Sequence, residues 1–187
     1  MLGIVEIFAS EGSDKTTDHS YELVYGPLVE DVIECGKRLL NPSLLEIGYL
    51  SGGGIRGFQR LFPGFRYYSL DLGFPTPMAH DVAPVFADTG SDESLEAARR
   101  RMPSGRFALI VDDGSHDPEH QARALRTFWP LLAEGGIYVI EDVLIDRQPH
   151  LAPADCRSEL IDLRSVKGRF DAVARVLRKF VDRSDLP

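Results

Sequence analysis

Two short runs hold the densest chemistry in this chain. VDDGSH at 111–116 places two adjacent carboxylates, a Gly-Ser turn and an imidazole in six positions, and IED at 140–142 adds two more carboxylates. Asp113, Glu141 and Asp142 could supply three oxygen ligands to a hard divalent cation. Magnesium takes near-octahedral oxygens and keeps several positions for waters or substrate oxygens. An acceptor with adjacent hydroxyls would fill those positions, and the metal would lower the hydroxyl pKa. His116 follows Asp113 across the Gly-Ser turn, and imidazole suits a base near neutral pH. Each part has a plainer alternative: Asp113-Gly114 as a turn before a capped helix, Glu141-Asp142 as a solvated loop start. The joint pattern favours function.

The stretch EIGYLSGGGIRG contains a literal G-x-G-x-x-G at Gly52, Gly54 and Gly57, and Asp71 ends the next apolar run. That is the context of a dinucleotide fingerprint, which supports a nicotinamide or flavin enzyme. The spacing has a flaw, because the strand ends near Ile47 and Gly52 comes too late for the first tight turn. The stretch reads better as Glu46-x-Gly48, a short linker, then glycines opening a helix. An acid two residues before the glycine suits a cationic ligand group, such as the amino acid moiety of S-adenosylmethionine. Asp71 would accept from a ribose in either cofactor. Ser115 has no G-x-S-x-G elbow around it and neither cysteine has a local partner, so covalent catalysis is unsupported.

These residues need elements to hold them. Apolar runs at 44–47, 66–71, 83–87, 107–112 and 137–141 read as strands buried on both faces, as in a parallel sheet. Helical patterns lie between them. One starts near Pro27, one near Ser91, and one at Asp117-Pro118, a good N-cap and first-turn pair. Residues 143–158 read as a loop, 159–165 and 171–180 as two strands of an edge hairpin, the latter with a helical alternative. Strands alternating with helices argue for an α/β fold, and ligands of such sheets bind beyond the carboxyl ends of the strands. Seven acids fall at five such ends: Glu46, Asp71, Asp88, Asp112, Asp113, Glu141 and Asp142. Carboxylates so placed repel one another unless a cation or a donor-rich ligand sits among them.

Composition bounds the rest. The 187 residues include 29 Asp+Glu against 21 Lys+Arg, a formal charge of −8. One domain is expected from that length. The charge argues against a general nucleic-acid binder or a basic membrane-surface protein. Cys35 and Cys156 are too few for a disulfide scaffold or a Cys-rich zinc site. No apolar run spans a bilayer and no leader peptide is visible, so a cytoplasmic location is expected.

Four stretches together carry a resemblance: SDKTTDHSYELVY (13–25), LLEIGYLSGGGIRGFQRLFP (44–63), FALIVDDGSH (107–116) and GGIYVIED (135–142), with DLRSVKGRFDAVARVLRK near the end. The chain resembles a small class I S-adenosylmethionine-dependent methyltransferase, close to the metal-dependent sugar and macrolide O-methyltransferases and the cephalosporin-hydroxylase-like group. The resemblance implies a Rossmann-like fold, with a mostly parallel sheet, helices on both faces and a C-terminal antiparallel hairpin. It implies that Glu46, Gly48 and Asp71 hold the methionine amino group and the ribose, with Ser51, Gly52 and Asp112 beside them, and that Asp88 lies near the adenine. It further implies Asp113, Glu141 and Asp142 as magnesium ligands and His116 as general base. Asp14, Lys15, His19 and Tyr21 match a segment that closes over the cofactor, within a helical region 1–40, and 143–158 becomes a substrate loop.

Thr16 stands where the family usually has Gly, and the insertions of larger relatives are missing from 143–158. The expectation is an O-methyltransferase acting on a hydroxyl of a small molecule, a sugar or a glycosylated natural product, as a homodimer. A nicotinamide-dependent oxidoreductase and a non-catalytic binding module remain the alternatives.

Overall fold

The computed structural model describes residues 3–103, 105–147 and 152–181. Its strands are β1 (Ser43–Ile47), β2 (Arg66–Asp71), β3 (Val82–Phe86), β4 (Phe107–Asp112), β5 (Leu132–Ile140), β6 (Cys156–Asp162) and β7 (Val173–Lys179). They form one sheet in the order β3-β2-β1-β4-β5-β7-β6. The first five pair in parallel, while β7 runs antiparallel to β5 and β6 antiparallel to β7. The predicted α/β fold and edge hairpin are therefore present, and 173–179 is strand rather than helix.

Side chains alternate across the sheet, and that alternation sorts the core into two layers. Leu44, Leu109, Val111 and Val139 pack on one face with Phe8 of α1 (Ile4–Ser10), Tyr25 of α2 (Glu22–Lys37) and Phe58 of α3 (Gly53–Leu61). Leu45, Ile110, Tyr138 and Ile140 pack on the other with Leu95 of α4 (Asp92–Arg99) and Leu125 of α5 (Pro118–Phe128). Local chemistry sets the helix starts. Ser91 Oγ accepts from Ser94 N–H, and Asp117 accepts from Glu119 and His120 N–H ahead of Pro118, satisfying first-turn donors.

The helix expected from Pro27 instead begins at Glu22 and takes Pro27 inside. Burial of Val24, Tyr25, Leu28 and Val32 outweighs the hydrogen bond that proline removes. The 143–158 region is only partly loop: a 3₁₀ turn covers Ile145–Arg147 and β6 already begins at Cys156. Residues 148–151 of it lie outside the described residues. A short helix, α6 (Arg164–Lys167), joins β6 to β7. None of the described helices is long and apolar enough to cross a membrane.

Candidate active site

The strand order reverses direction around β1, which has β2 on one side and β4 on the other. Such a switch point opens a crevice at the carboxyl ends. A cleft of about 990 Å³ lies there. Its floor is locked by bonds that extend the ladders: Gly48 N–H donates to Leu70 O, Asp113 N–H to Ile47 O and Glu141 N–H to Asp112 O. Gly48, at φ +92°, makes the tight turn out of β1, and a Cβ there would sit 2.1 Å from the Asp113 carbonyl oxygen. Gly54 is equally constrained, since its Cβ would meet Glu46 Oε1 at 2.2 Å. Asp71 faces the cleft with Oδ2 accepting from Tyr49 N–H at 2.7 Å.

Beneath the 11–21 segment lies a sealed charge cluster. Lys15 is 1% exposed. Its Nζ donates to Asp113 Oδ2 at 2.6 Å and to both Glu141 oxygens at 2.8 and 2.9 Å, with Glu46 Oε1 at 3.5 Å. The Tyr25 hydroxyl also donates to Glu141 Oε1. Burial alone would strip the Lys15 proton, but the charges of Asp113, Glu141 and Glu46 outweigh it and hold Lys15 protonated. Burial works equally against an ionised Asp113. The Lys15 charge and the bonds from His116 and Lys15 prevail and pull that carboxyl down to about 2. Glu46 gains less from Lys15, and burial pushes it up to about 7. Its Oε2 is buried with no hydrogen-bond partner among the described residues.

The other oxygen of Asp113 belongs to an open cluster. Asp113 Oδ1 lies 3.3 Å from His116 Nε2, which lies 3.4 Å from Asp142 Oδ2. These three groups lie within 4.8 Å of one another and line the cleft. His116 (φ 58°) and Asp142 (φ 51°) both take left-handed backbone conformations, an arrangement that costs of order 1–3 kcal/mol per residue and persists where surroundings over-determine it. Tyr21 is part of that surrounding. Its hydroxyl donates to Asp142 Oδ1 at 2.6 Å and lies 3.0 Å from Asp142 N–H. The hydrogen bond that His116 donates to Asp113, together with the charges of Asp142 and Asp113, raises the His116 pKa above its ordinary value.

The predicted residues divide accordingly. Asp14, Lys15, His19, Glu46, Gly48, Ser51, Asp71, Asp113, His116 and Asp142 line the cleft. Glu141 does not join the open cluster, because Lys15 and Tyr25 hold its carboxylate beneath the segment. Asp112, expected beside the cofactor, does not line the cleft. It shares its strand face with Ile110, and strand alternation sends it to the side opposite Asp113; it is 2% exposed, and burial raises it to about 7. Asp88 turns back to accept from Gly90 N–H, while Gly52 (φ +77°) caps α3. Tyr21 braces Asp142 from the buried side.

Sequence reasoning missed Tyr25, whose signal was its place one helical turn after Tyr21, and it gave no role to Arg169 and Asp171. Both of these line the cleft. Antiparallel pairing explains how they arrive: Ile140 stands opposite Arg175, and Val143 N–H donates to Val173 O. The residues entering β7 therefore lie beside those leaving β5. No described residue of 143–158 lines the cleft.

A family model described as a methyltransferase domain matches residues 45–143, just over half of the chain. A rhamnosyl tetracenomycin-C 2'-O-methyltransferase of Streptomyces olivaceus is 28% identical over 156 residues, covering 75% of this chain and 38% of that protein. The corresponding 3'-O-methyltransferase of the same organism is 36% identical over 93 residues, covering 49% and 23%. The solved MycE methyltransferase of the mycinamycin biosynthetic pathway, in complex with Mg, SAH and mycinamycin VI, superposes with a TM-score of 0.73 at 17% identity. That match covers 98% of this chain and 55% of MycE. The chain thus spans under two-fifths of these curated relatives and about half of the solved one.

Proposed function

Because the chain belongs to this methyltransferase-domain family, we propose that it moves a methyl group from S-adenosylmethionine to a hydroxyl of a glycosylated small molecule, with a divalent cation at the open cluster and His116 as base. One observation carries the reading: Asp113, His116 and Asp142 converge on a cleft that the Gly48–Gly54 turn also lines.

The residues present fit both groups. Glu46 Oε2 is a buried acceptor with no partner among the described residues, in a cleft whose glycines leave room beside it. It suits the cationic end of the methyl donor, and Asp71 suits its ribose. Asp113 Oδ1 and Asp142 Oδ2 offer carboxylate oxygens to magnesium, and Glu141 would add its own only on leaving Lys15. Magnesium, when bound, would lower the pKa of an acceptor hydroxyl.

The chain's own residues do the rest. Tyr21 fixes the Asp142 carboxylate from behind and Lys15 fixes that of Asp113. With their charge neutralised, Asp113 and Asp142 no longer hold a proton on His116, whose Nε2 can then take one from the acceptor. Sulfonium and hydroxyl need only be held in line, so positioning supplies most of the rate. Two of the relatives are named for O-methylation of rhamnosyl tetracenomycin-C, which supports a sugar hydroxyl as the acceptor. Calorimetry tests the cofactor: S-adenosylhomocysteine should bind and NADH should not. Binding of NADH alone would replace this reading with an oxidoreductase.

A further inference from the structure

The acceptor side of the cleft has no assigned recognition group. The 143–158 segment, expected to shape it, contributes none of its described residues. The turn entering β7 does contribute. Arg169 grips Asp171 through two parallel bonds, Nε to Oδ1 at 3.0 Å and Nη2 to Oδ2 at 2.9 Å. Its Nη2 also lies 2.9 Å from His19 Nε2, and that ring stacks on Tyr21. The turn is fastened to the opposite end of the chain by Lys167, whose Nζ donates to the carbonyls of Thr16 and Thr17 at 2.6 and 2.9 Å. Arg169 is therefore a held group, although its side chain is 41% exposed. Its Nη1 makes no hydrogen bond among the described residues.

His19 lies between this guanidinium and Asp142, with Nε2 at 4.0 Å from Asp142 Oδ1. Arg169 thus stands one side chain away from the open cluster. The polarity of this wall is informative. Six carboxylates line the cleft: Asp14, Glu46, Asp71, Asp113, Asp142 and Asp171. Among the described residues only two strong cations do, Lys15 and Arg169. Lys15 is consumed by the sealed cluster, and the bidentate Asp171 offsets the charge of Arg169. What remains is a fixed donor without a surplus positive charge, facing an acidic cleft. Such a group donates to hydroxyl and ring oxygens and disfavours anions.

We propose that the 167–171 turn is the acceptor-recognition wall, with Arg169 as its specificity-determining donor for a neutral, polyhydroxylated glycoside. This rests on the glycoside reading of the function and adds the group that selects for it.

The test uses the full chain saturated with S-adenosylhomocysteine and magnesium. The probes are methyl α-L-rhamnopyranoside and the anionic methyl α-D-glucopyranosiduronate, followed by saturation-transfer NMR titration. The rhamnoside should bind at least about ten-fold better than the uronate. Arg169→Met, which keeps the aliphatic stem, should weaken the rhamnoside about ten-fold, the size expected for a hydrogen bond from a charged donor. S-adenosylhomocysteine affinity should stay within two-fold. Asp171→Asn leaves the guanidinium charge uncompensated, so it should move the preference toward the uronate about ten-fold, which a purely structural role would not do. Asp146→Asn, in the 143–158 segment, should change neither probe. Rhamnoside binding that survives Arg169→Met, or an unmoved preference in Asp171→Asn, overturns this proposal alone. A wild-type chain that binds S-adenosylhomocysteine but no rhamnoside overturns the glycoside reading and this proposal with it.

Discussion

Asp113 divides its carboxylate between two unlike clusters. Oδ2 faces the sealed one, where Lys15 meets Glu141 and Glu46 at 1–2% exposure. Oδ1 faces the open one, where His116 and Asp142 line the cleft. Both gather acids that repel one another. The sealed cluster carries its compensating cation, Lys15, as part of the chain, so that partner is put in place once, on folding. The acids of the open cluster face imidazoles instead, His116 and, at 4.0 Å from Asp142, His19, and His116 is itself a candidate base. Charge density therefore does not mark function. The mark is whether the compensating cation is covalently attached.

Removing divalent cations is the strongest way to break that contrast. Excess chelator should abolish methyl transfer and magnesium should restore it; full activity in chelator would show that the open cluster works with the chain's own charges. Next in size is His116→Ala, which should lower turnover about 10²–10⁴-fold while leaving S-adenosylhomocysteine affinity within two-fold. Near-wild-type turnover would remove the base.

Lys15→Met addresses the sealed side. Stranding Glu141 and Asp113 without their partner should cost about 3–5 kcal/mol of stability, read from urea unfolding. A variant as stable as wild type would mean that the cluster does not hold the 11–21 segment.

Stability against pH sharpens the comparison further. Glu46 and Asp112 each rise to about 7 from ordinary values of 4.5 and 3.8. The folded chain thus binds more protons than the unfolded one between those values and pH 7. Their contribution is full below the unfolded pKa and is lost as pH rises to about 7. His116, also raised, loses its contribution in the same direction. The thermal midpoint should therefore fall from pH 5 to pH 8. Asp112→Asn should flatten part of that slope, by up to roughly 3 kcal/mol between pH 5 and pH 7; an unchanged slope would mean that Asp112 titrates normally. The smallest effect expected is for Tyr21→Phe, about 1.5–3 kcal/mol for a lost bond to a charged group. It should appear in the unfolding midpoint and in magnesium affinity together. A loss confined to stability would leave Tyr21 without a hold on the open cluster.

Much of this was legible along the chain. Runs such as FALIVD are apolar on both faces because β4 has a helical layer on each side, and Asp117-Pro118 encodes a helix start by local bonding alone. DDGSH and IED placed Asp113, His116 and Asp142 at neighbouring strand ends for the same reason. The pairing of Glu141 with Lys15, 126 residues away, was not legible, because no periodicity reports such a contact. Asp112 and Asp113 look interchangeable in sequence, yet adjacent residues leaving a strand point to opposite faces.

The amino-acid sequence by itself determined the strands, the helix starts and the crowding of acids at the carboxyl edge, since each follows from local bonding or from burial periodicity. Only the tertiary structure decided which acids the chain neutralises for itself and which it leaves facing the cleft. It also decided that the wall beside them comes from the entry to β7 rather than from the loop after β5. That last choice depends on β7, not β6, pairing antiparallel with β5, a long-range register that no local stretch encodes.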